Sequence, residues 1–266
     1  MDILNYIILG IVEGITEFLP ISSTAHLILF SFLLKIEQTE FHKFFEVFIQ
    51  SGAILAIIFN YFKFLIFNKN LIKKVVVSFI PTALISLFFY QTIKNIFFEN
   101  RLLIISMLII IGAVFILVEN LIKKDKIKLI HHLDTMSYFQ ALLIGTFQAL
   151  AIIPGISRAG AVILGMLFLK FKREDAVLYS FFLALPTIIS AGIYDLYKVG
   201  YDTTIFNFQN FIYLLTGLTT SFIFALITIK WFIIYLQKNN LIIFGYYRII
   251  LGLILLKLFI SKSQLF

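Results

Sequence analysis

The sequence predicts an all-α integral membrane protein: a polytopic helical bundle of about six full transmembrane spans plus two re-entrant helical hairpins, arranged as an inverted-topology repeat. Three observations predict it. The chain is 61% hydrophobic and 14% charged, with a mean hydropathy of +1.02, whereas soluble domains carry about 25% charge. Runs of roughly 20 apolar residues, bounded by Lys, Asn or Asp, have the length needed to cross about 30 Å of hydrocarbon as helix. A polar motif near the start of the chain returns past its middle.

Other classes fall away. Transmembrane β-strands would be short and alternating, which these runs are not. The absence of cysteine excludes disulfides, iron–sulfur clusters and thiolate chemistry. In so apolar a chain the net charge of +8 fits lysine-rich cytoplasmic loops rather than nucleic acid. The first helix is preceded by Asp2 and contains Glu13 and Glu17, with no basic leader or small-residue cleavage site, so no signal peptide is expected.

Residues 3–18 form an apolar helix that stops at Pro20, and after Ser22-Ser23-Thr24 a second apolar stretch runs to Leu34. Each half is too short to span on the criterion of about 20 residues, so a re-entrant hairpin is predicted. Full spans follow at 44–67, 74–92 and 101–119. Lys123, Lys124, Asp125, Lys126 and Lys128 then open a charged linker, 123–134, which separates repeat one (1–122) from repeat two (135–266) in a single membrane domain, 1–266. In repeat two the first motif is echoed: Gly10 pairs with Gly145, Glu13 with Gln148 and Ser22 with Ser157, and three more spans follow at 176–197, 211–236 and 242–260. An odd number of spans between the hairpins makes the second enter from the opposite face, so their tips can meet near the midplane.

Loop charges orient the chain. Lys69, Lys73, Lys74, Lys123, Lys124, Lys126, Lys128, Lys170, Lys172 and Arg173 share one side, with Lys230 and Lys238 near it; the other has Lys35, Lys43, Lys94, Arg101, Lys198, Lys257 and Lys262. The lysine-rich side is expected to be cytoplasmic, with both termini and the mouth of the first hairpin outward. Trp231 with Tyr235 reads as an interfacial anchor. His42, His131 and His132 read as solvated loop residues.

The chemistry lies in Glu13-Gly-Ile-Thr-Glu-Phe-Leu-Pro-Ile-Ser-Ser-Thr-Ala-His26, because ionisable groups inside a membrane mark a functional site unless they are paired. Glu13 and Glu17, i and i+4 on one helix face, repel each other near a negative helix end. A divalent metal, or Arg158 arriving from the other hairpin, would supply the missing cation; magnesium suits one or two carboxylates completed by water and phosphate. Ser22, Ser23 and Thr24 stand where a half-helix begins, as cap and anion site. Pro154-Gly155-Ile156-Ser157-Arg158 repeats the device and adds a guanidinium suited to phosphate. His26 is a candidate acid or base towards a serine or water. Glu46 and Gln50 line the same cavity or make a buried helix-to-helix bond.

These two motifs, together with Phe45-Glu-Val-Phe-Ile-Gln50, Ser180-Phe-Phe-Leu-Ala-Leu-Pro186 and Asp195-Leu-Tyr-Lys198, resemble the bacterial undecaprenyl-diphosphate phosphatase (bacitracin-resistance) family across essentially the whole chain. The resemblance implies a multi-pass enzyme of the bacterial plasma (inner) membrane. It would hydrolyse a polyprenyl diphosphate to the monophosphate, recycle the carrier for peptidoglycan precursors, confer bacitracin tolerance and depend on a divalent cation, magnesium or calcium. It implies an acidic pair at Glu13 and Glu17, a candidate nucleophile at Ser23, a histidine at His26 and a serine–arginine pair at Ser157 and Arg158. Beside these, the reading of the residues themselves makes Ser22, Thr24, Gly155, Glu46 and Gln50 candidate substrate contacts. The attacker is Ser23 or a metal-bound water. Where the family's second motif continues with hydroxyls, this chain has Ala159 and Val162, which puts phosphate contacts from those positions in doubt. The rival reading, a prenyl-phosphate transporter or flippase, uses the same residues for binding without hydrolysis, since inverted repeats with broken helices also build secondary transporters.

Overall fold

The computed structural model describes residues 2–92, 100–200 and 207–261, and is helical almost throughout. Lys94 and Lys262, counted among the loop charges, lie outside the described residues. Ten α-helices follow one another among the described residues: α1 (Ile3–Thr16), α2 (Ser23–Leu33), α3 (Glu40–Phe67), α4 (Lys69–Thr92), α5 (Arg101–Lys123), α6 (Tyr138–Ala149), α7 (Arg158–Phe168), α8 (Arg173–Val199), α9 (Phe208–Leu236) and α10 (Ile242–Ser261). Polar residues start them: Asp2, Thr39, Asn100 and Asn207 each accept a first-turn N–H, and Ser137 with Gln140 closes a capping box on α6.

Length sorts the helices into two kinds. At 1.5 Å per residue, α1 and α2, with 14 and 11 residues, and α6 and α7, with 12 and 11, reach only about 16–21 Å and cannot cross about 30 Å of hydrocarbon. The other six are long and apolar enough to span. Each half of the chain therefore reads short, short, long, long, long, as the sequence predicts.

Packing follows the same repeat. Helix α1 lies along α9 while α6 lies along α4, pairs that exchange when the halves are swapped; α5·α10 and α3·α8 are pairs the swap leaves unchanged. Small residues set these approaches: a Cβ on Gly10 would overlap Thr220 Oγ1 of α9, and one on Gly145 would overlap the backbone of Ser78 in α4. Gly112 and Gly245 face each other across α5 and α10, each placed so that a Cβ would come within 2.8 Å of the other's carbonyl oxygen. Close backbone approach through small residues is how helices associate where water supplies no hydrophobic drive.

The buried core gathers around α7 and α8, with Phe115, Val162, Ile163, Phe171, Phe181 and Phe182 fully enclosed. Outward faces are apolar, as lipid requires; Phe59, Phe67 and Phe88 are largely exposed. Trp231 is half exposed and stacks on Tyr235, 5.3 Å between ring centres, a geometry suited to an interfacial anchor. Arg173, counted among the loop charges, instead closes a two-pronged pair with buried Glu119, which also accepts from the Leu241 N–H and so ties α5, α8 and the α9–α10 turn together.

Candidate active site

Both hairpin turns end on a serine in a conformation L-residues avoid, Ser22 at φ 72° and Ser157 at φ 74°, and non-glycine residues held there concentrate at functional sites. In the first turn α1 ends at Thr16, Glu17 donates its N–H to the Glu13 carbonyl at 2.9 Å, and α2 begins at Ser23. In the second, α6 runs through a 3₁₀ turn to Pro154, Gly155 takes φ +94°, and α7 begins at Arg158. Gly155 is required there twice over, since a Cβ would also lie 2.5 Å from the Ile104 carbonyl oxygen.

The two tips meet. Glu17 accepts from Arg158 Nη2 at Oε1, 3.0 Å, and from Ser23 Oγ at Oε2, 2.6 Å. Arg158 Nη1 donates to the Ser180 carbonyl of α8 at 2.7 Å, while its buried Nε–H has no partner among the described residues. The Glu17 and Arg158 side chains are 7% and 12% exposed, so this is a largely desolvated pair whose removal from one side would strand a charge. Beside it is a cavity of about 210 Å³. Its polar wall includes Glu17, Ser22, Ser23, Thr24, Gln50 and Arg158; Ala151, Ile152, Ile188 and Ala191 form an apolar wall. Gly155 and Ser157 also line it.

Glu13, one turn before Glu17, is fully buried, and neither carboxylate oxygen has a hydrogen-bond donor among the described residues; its polar neighbour is the Glu17 carboxylate. An ionised carboxylate left so in a dry interior is costly, and a cation beside it would remove that cost. Among the described residues no group of three or more His, Cys, Asp or Glu is placed to hold a metal. The two adjacent carboxylates, Glu13 and Glu17, are a pair that fits a hard divalent cation whose other ligands are water and phosphate oxygens.

Several expectations need correction. His26 does not reach Ser23: Nδ1–H donates to the Ser22 carbonyl at 2.8 Å, and Nε2 meets the Tyr247 hydroxyl of α10 at 2.7 Å. Both ring nitrogens are thus engaged away from the cavity, and the group touching Ser23 is Glu17. Ser22 makes no side-chain cap, whereas Ser157 accepts the Gly160 N–H at 3.2 Å. Glu46 and Gln50 divide the two alternatives between them: Gln50 lines the cavity, while Glu46 bonds Ser31 of α2 at 3.2 Å. His42 is not solvated; it is fully buried with Nε2 3.0 Å from both Ser31 and Glu46. His131 is half-buried against Phe171, and only His132 is exposed. Ala159 and Val162 point into the apolar core, so hydroxyls are absent from places that do not line the cavity.

Sequence reasoning missed three contributors. Gln148, noticed only as the echo of Glu13, lines the cavity and donates to Thr82 and Thr187 at 2.9 and 3.1 Å. Tyr247 holds His26. Arg248 is fully buried in α10, and an ionisable group inside a span is itself the signal that could have found it.

What the arrangement can do is narrow: a carboxylate set to take a serine's proton, an arginine beside it with its Nε–H open, and a cavity with a polar and an apolar wall. The model for bacitracin resistance protein BacA matches residues 6–254. Proteins named undecaprenyl-diphosphatase from Persephonella marina and a Sulfurihydrogenibium species are 48% and 46% identical to the chain, each over 96% of it and 98% of the relative. One of the same name from Aquifex aeolicus is 42% identical over 93% of the chain and 95% of its own length. With the motifs, the helix pattern and the matches all spanning nearly its full length, the chain belongs to the bacitracin resistance protein BacA family.

Proposed function

We propose that this multi-pass membrane protein hydrolyses undecaprenyl diphosphate to undecaprenyl phosphate and inorganic phosphate. It thereby recycles the lipid carrier for peptidoglycan synthesis and confers bacitracin resistance. The observation that carries the reading is the Glu17 carboxylate, which holds the Ser23 hydroxyl on one oxygen and the Arg158 guanidinium on the other.

The diphosphate enters the polar half of the cavity and the prenyl chain leaves along the apolar wall of Ala151, Ile152, Ile188 and Ala191. Arg158, free at Nε, and the N-termini of α2 and α7 bind the phosphate oxygens. Ser23 Oγ attacks the terminal phosphorus while its proton passes to Glu17 Oε2; the bond to the bridging oxygen breaks, and its electron pair leaves with undecaprenyl phosphate. Water then attacks the phosphoserine, Glu17 returns the proton to the departing Oγ, and inorganic phosphate is released. Catalysis rests on positioning and charge stabilisation, as phosphoryl transfer generally does. Glu13 and Glu17 would hold a divalent cation, magnesium or calcium, which when bound offsets the charge of the diphosphate. His26 serves here by fixing the Ser22 turn rather than by moving a proton.

The site opens to the outer face of the bacterial plasma membrane, as the lysine-rich loops argue. Exposed Lys35 and Lys124 test this in a chain without cysteine: Lys35→Cys is labelled by an impermeant thiol reagent in intact cells and Lys124→Cys is not, and the reverse result inverts the orientation. The activity is tested by phosphate release from a long-chain prenyl diphosphate by detergent-purified protein, with and without EDTA. Release that EDTA abolishes supports the reading with its cation; release insensitive to EDTA removes the cation; lipid binding without release favours a carrier.

A further inference from the structure

We infer that Arg248 is a positioning residue for the proposed hydrolysis: a clamp that holds the tips of the two re-entrant hairpins together by bonding one carbonyl from each. The inference rests on the proposed function for its kinetic consequence and on geometry alone for the clamp.

Arg248 is 0% exposed and lies two turns into α10. Its Nη1 donates to the Pro20 carbonyl at 3.0 Å and its Nη2 to the Gly155 carbonyl at 2.6 Å. Pro20 belongs to the turn that carries Glu17 and Ser23, Gly155 to the turn that leads into Arg158, and both lie outside any helix. Longer bonds run from Nε to Leu108 and from Nη2 to Met107, 3.4 and 3.5 Å, so the base of the guanidinium rests on α5. All four partners are backbone carbonyls; no carboxylate is paired with this cation among the described residues.

A buried cation without a counter-ion is a net cost, so packing alone is a poor reason for one. The guanidinium offers what no apolar residue can, a planar fork of five donors able to bridge two acceptors at fixed separation; an ammonium is a single point on a flexible stem. The post it stands on is rigid, because α5 and α10 touch backbone to backbone at Gly112 and Gly245. The preceding residue, Tyr247, holds His26 and through it the Ser22 carbonyl. Helix α10 thus grips the first hairpin at two points and the second at one. Arg248 does not line the cavity; it acts through Glu17, Ser23 and Arg158, whose contacts require the tips to stay in register. A displacement of about 1 Å in such a constellation is enough to cost a hundredfold in rate.

The test uses the full chain in detergent, with Arg248→Met and Arg248→Lys. Two quantities are read: kcat and KM for phosphate release, and amide hydrogen exchange over 17–24 and 153–158 without substrate. For Arg248→Met we expect kcat to fall about 30- to 100-fold with KM within about threefold. Exchange should rise in both tips together while α5 and α10 stay protected. Arg248→Lys keeps the charge but recovers less than about a tenth of the lost rate, because one ammonium cannot bridge both carbonyls. Folded Arg248→Met with kcat within threefold of the wild type, or exchange that rises in α5 and α10 rather than in the tips, overturns the clamp. If Arg248→Met does not fold, Arg248→Gln, which can reach one carbonyl, carries the same two readouts. If the wild type itself releases no phosphate, the proposed function fails, and the exchange data still decide the clamp.

Discussion

The two re-entrant hairpins share a backbone plan and divide the chemistry. Each joins two short helices through a turn that ends on a serine at φ near +73°, and each lays its first helix along a long helix of the other repeat. At matching places the side chains differ: Glu13 stands opposite Gln148, Glu17 opposite Ile152 and Ser23 opposite Arg158. The first hairpin thus holds the proton acceptor and the hydroxyl, and the second the cation. Neither is a site alone. Repetition supplied two turns able to meet at membrane depth, and divergence made them complementary.

The strongest way to break the comparison is to remove either half of the joint. Arg158→Ala and Glu17→Gln are each expected to lower kcat/KM for phosphate release about a thousandfold, since each also strands its buried partner. Arg158→Lys should recover little of the loss, because an ammonium lacks the fork that serves Glu17 and Ser180 at once. Ser23→Ala is expected to fall nearly as far. If it keeps most of its turnover, the attacker is water and the covalent route is excluded.

Next comes the contrast between Glu13 and Gln148. Gln148 donates from Nε2 to Thr82 and Thr187 and leaves only Oε1 without a partner, whereas both oxygens of Glu13 lack a donor among the described residues. Glu13→Gln should cost about 10- to 100-fold and weaken the response to added divalent cation. Gln148→Ala should cost less than about tenfold and leave that response unchanged. Equal sensitivity of the two to the cation would refute the assignment of Glu13 as a metal-facing group.

Smaller effects test the supports. His26→Gln and Tyr247→Phe each remove a bond behind the Ser22 turn and are expected to lower kcat about three- to tenfold with KM little changed. A bell-shaped pH profile that lost one limb in His26→Gln would show the imidazole moving protons after all. The least effect on activity is expected from Ala159→Ser and Val162→Thr, which restore the family's usual hydroxyls to places facing the core; turnover should stay within about twofold, and Val162→Thr should cost about 1 kcal/mol of stability.

Much of this comparison was legible in the sequence because the membrane simplifies the code. Polar residues in an apolar run are expensive, so Glu13, Glu17, Ser23 and Arg158 stand out, and prolines and hydroxyls show that the helices of the first hairpin are too short to span, although α1 ends at Thr16 rather than at residue 18. What failed were statements about partners. His26 stands three residues from Ser23, under one helical turn, yet its ring is claimed by what packs on its face, here Tyr247, 221 residues away. His42 sits beside charged residues in sequence but turns inward to Ser31. Arg248 was overlooked because it belongs to no motif, and nothing in the sequence says that its partners are the carbonyls of Pro20 and Gly155.

The central claim is that the two hairpins form one catalytic site through Glu17 and Arg158. The most direct measurement is a double-mutant cycle on phosphate release: wild type, Glu17→Gln, Arg158→Ala and the double variant, each folded in detergent. One shared site requires strong non-additivity, the double variant being no more than about threefold worse than the weaker single variant. Losses that multiply would mean that the two residues act independently, and would contradict the meeting of the tips.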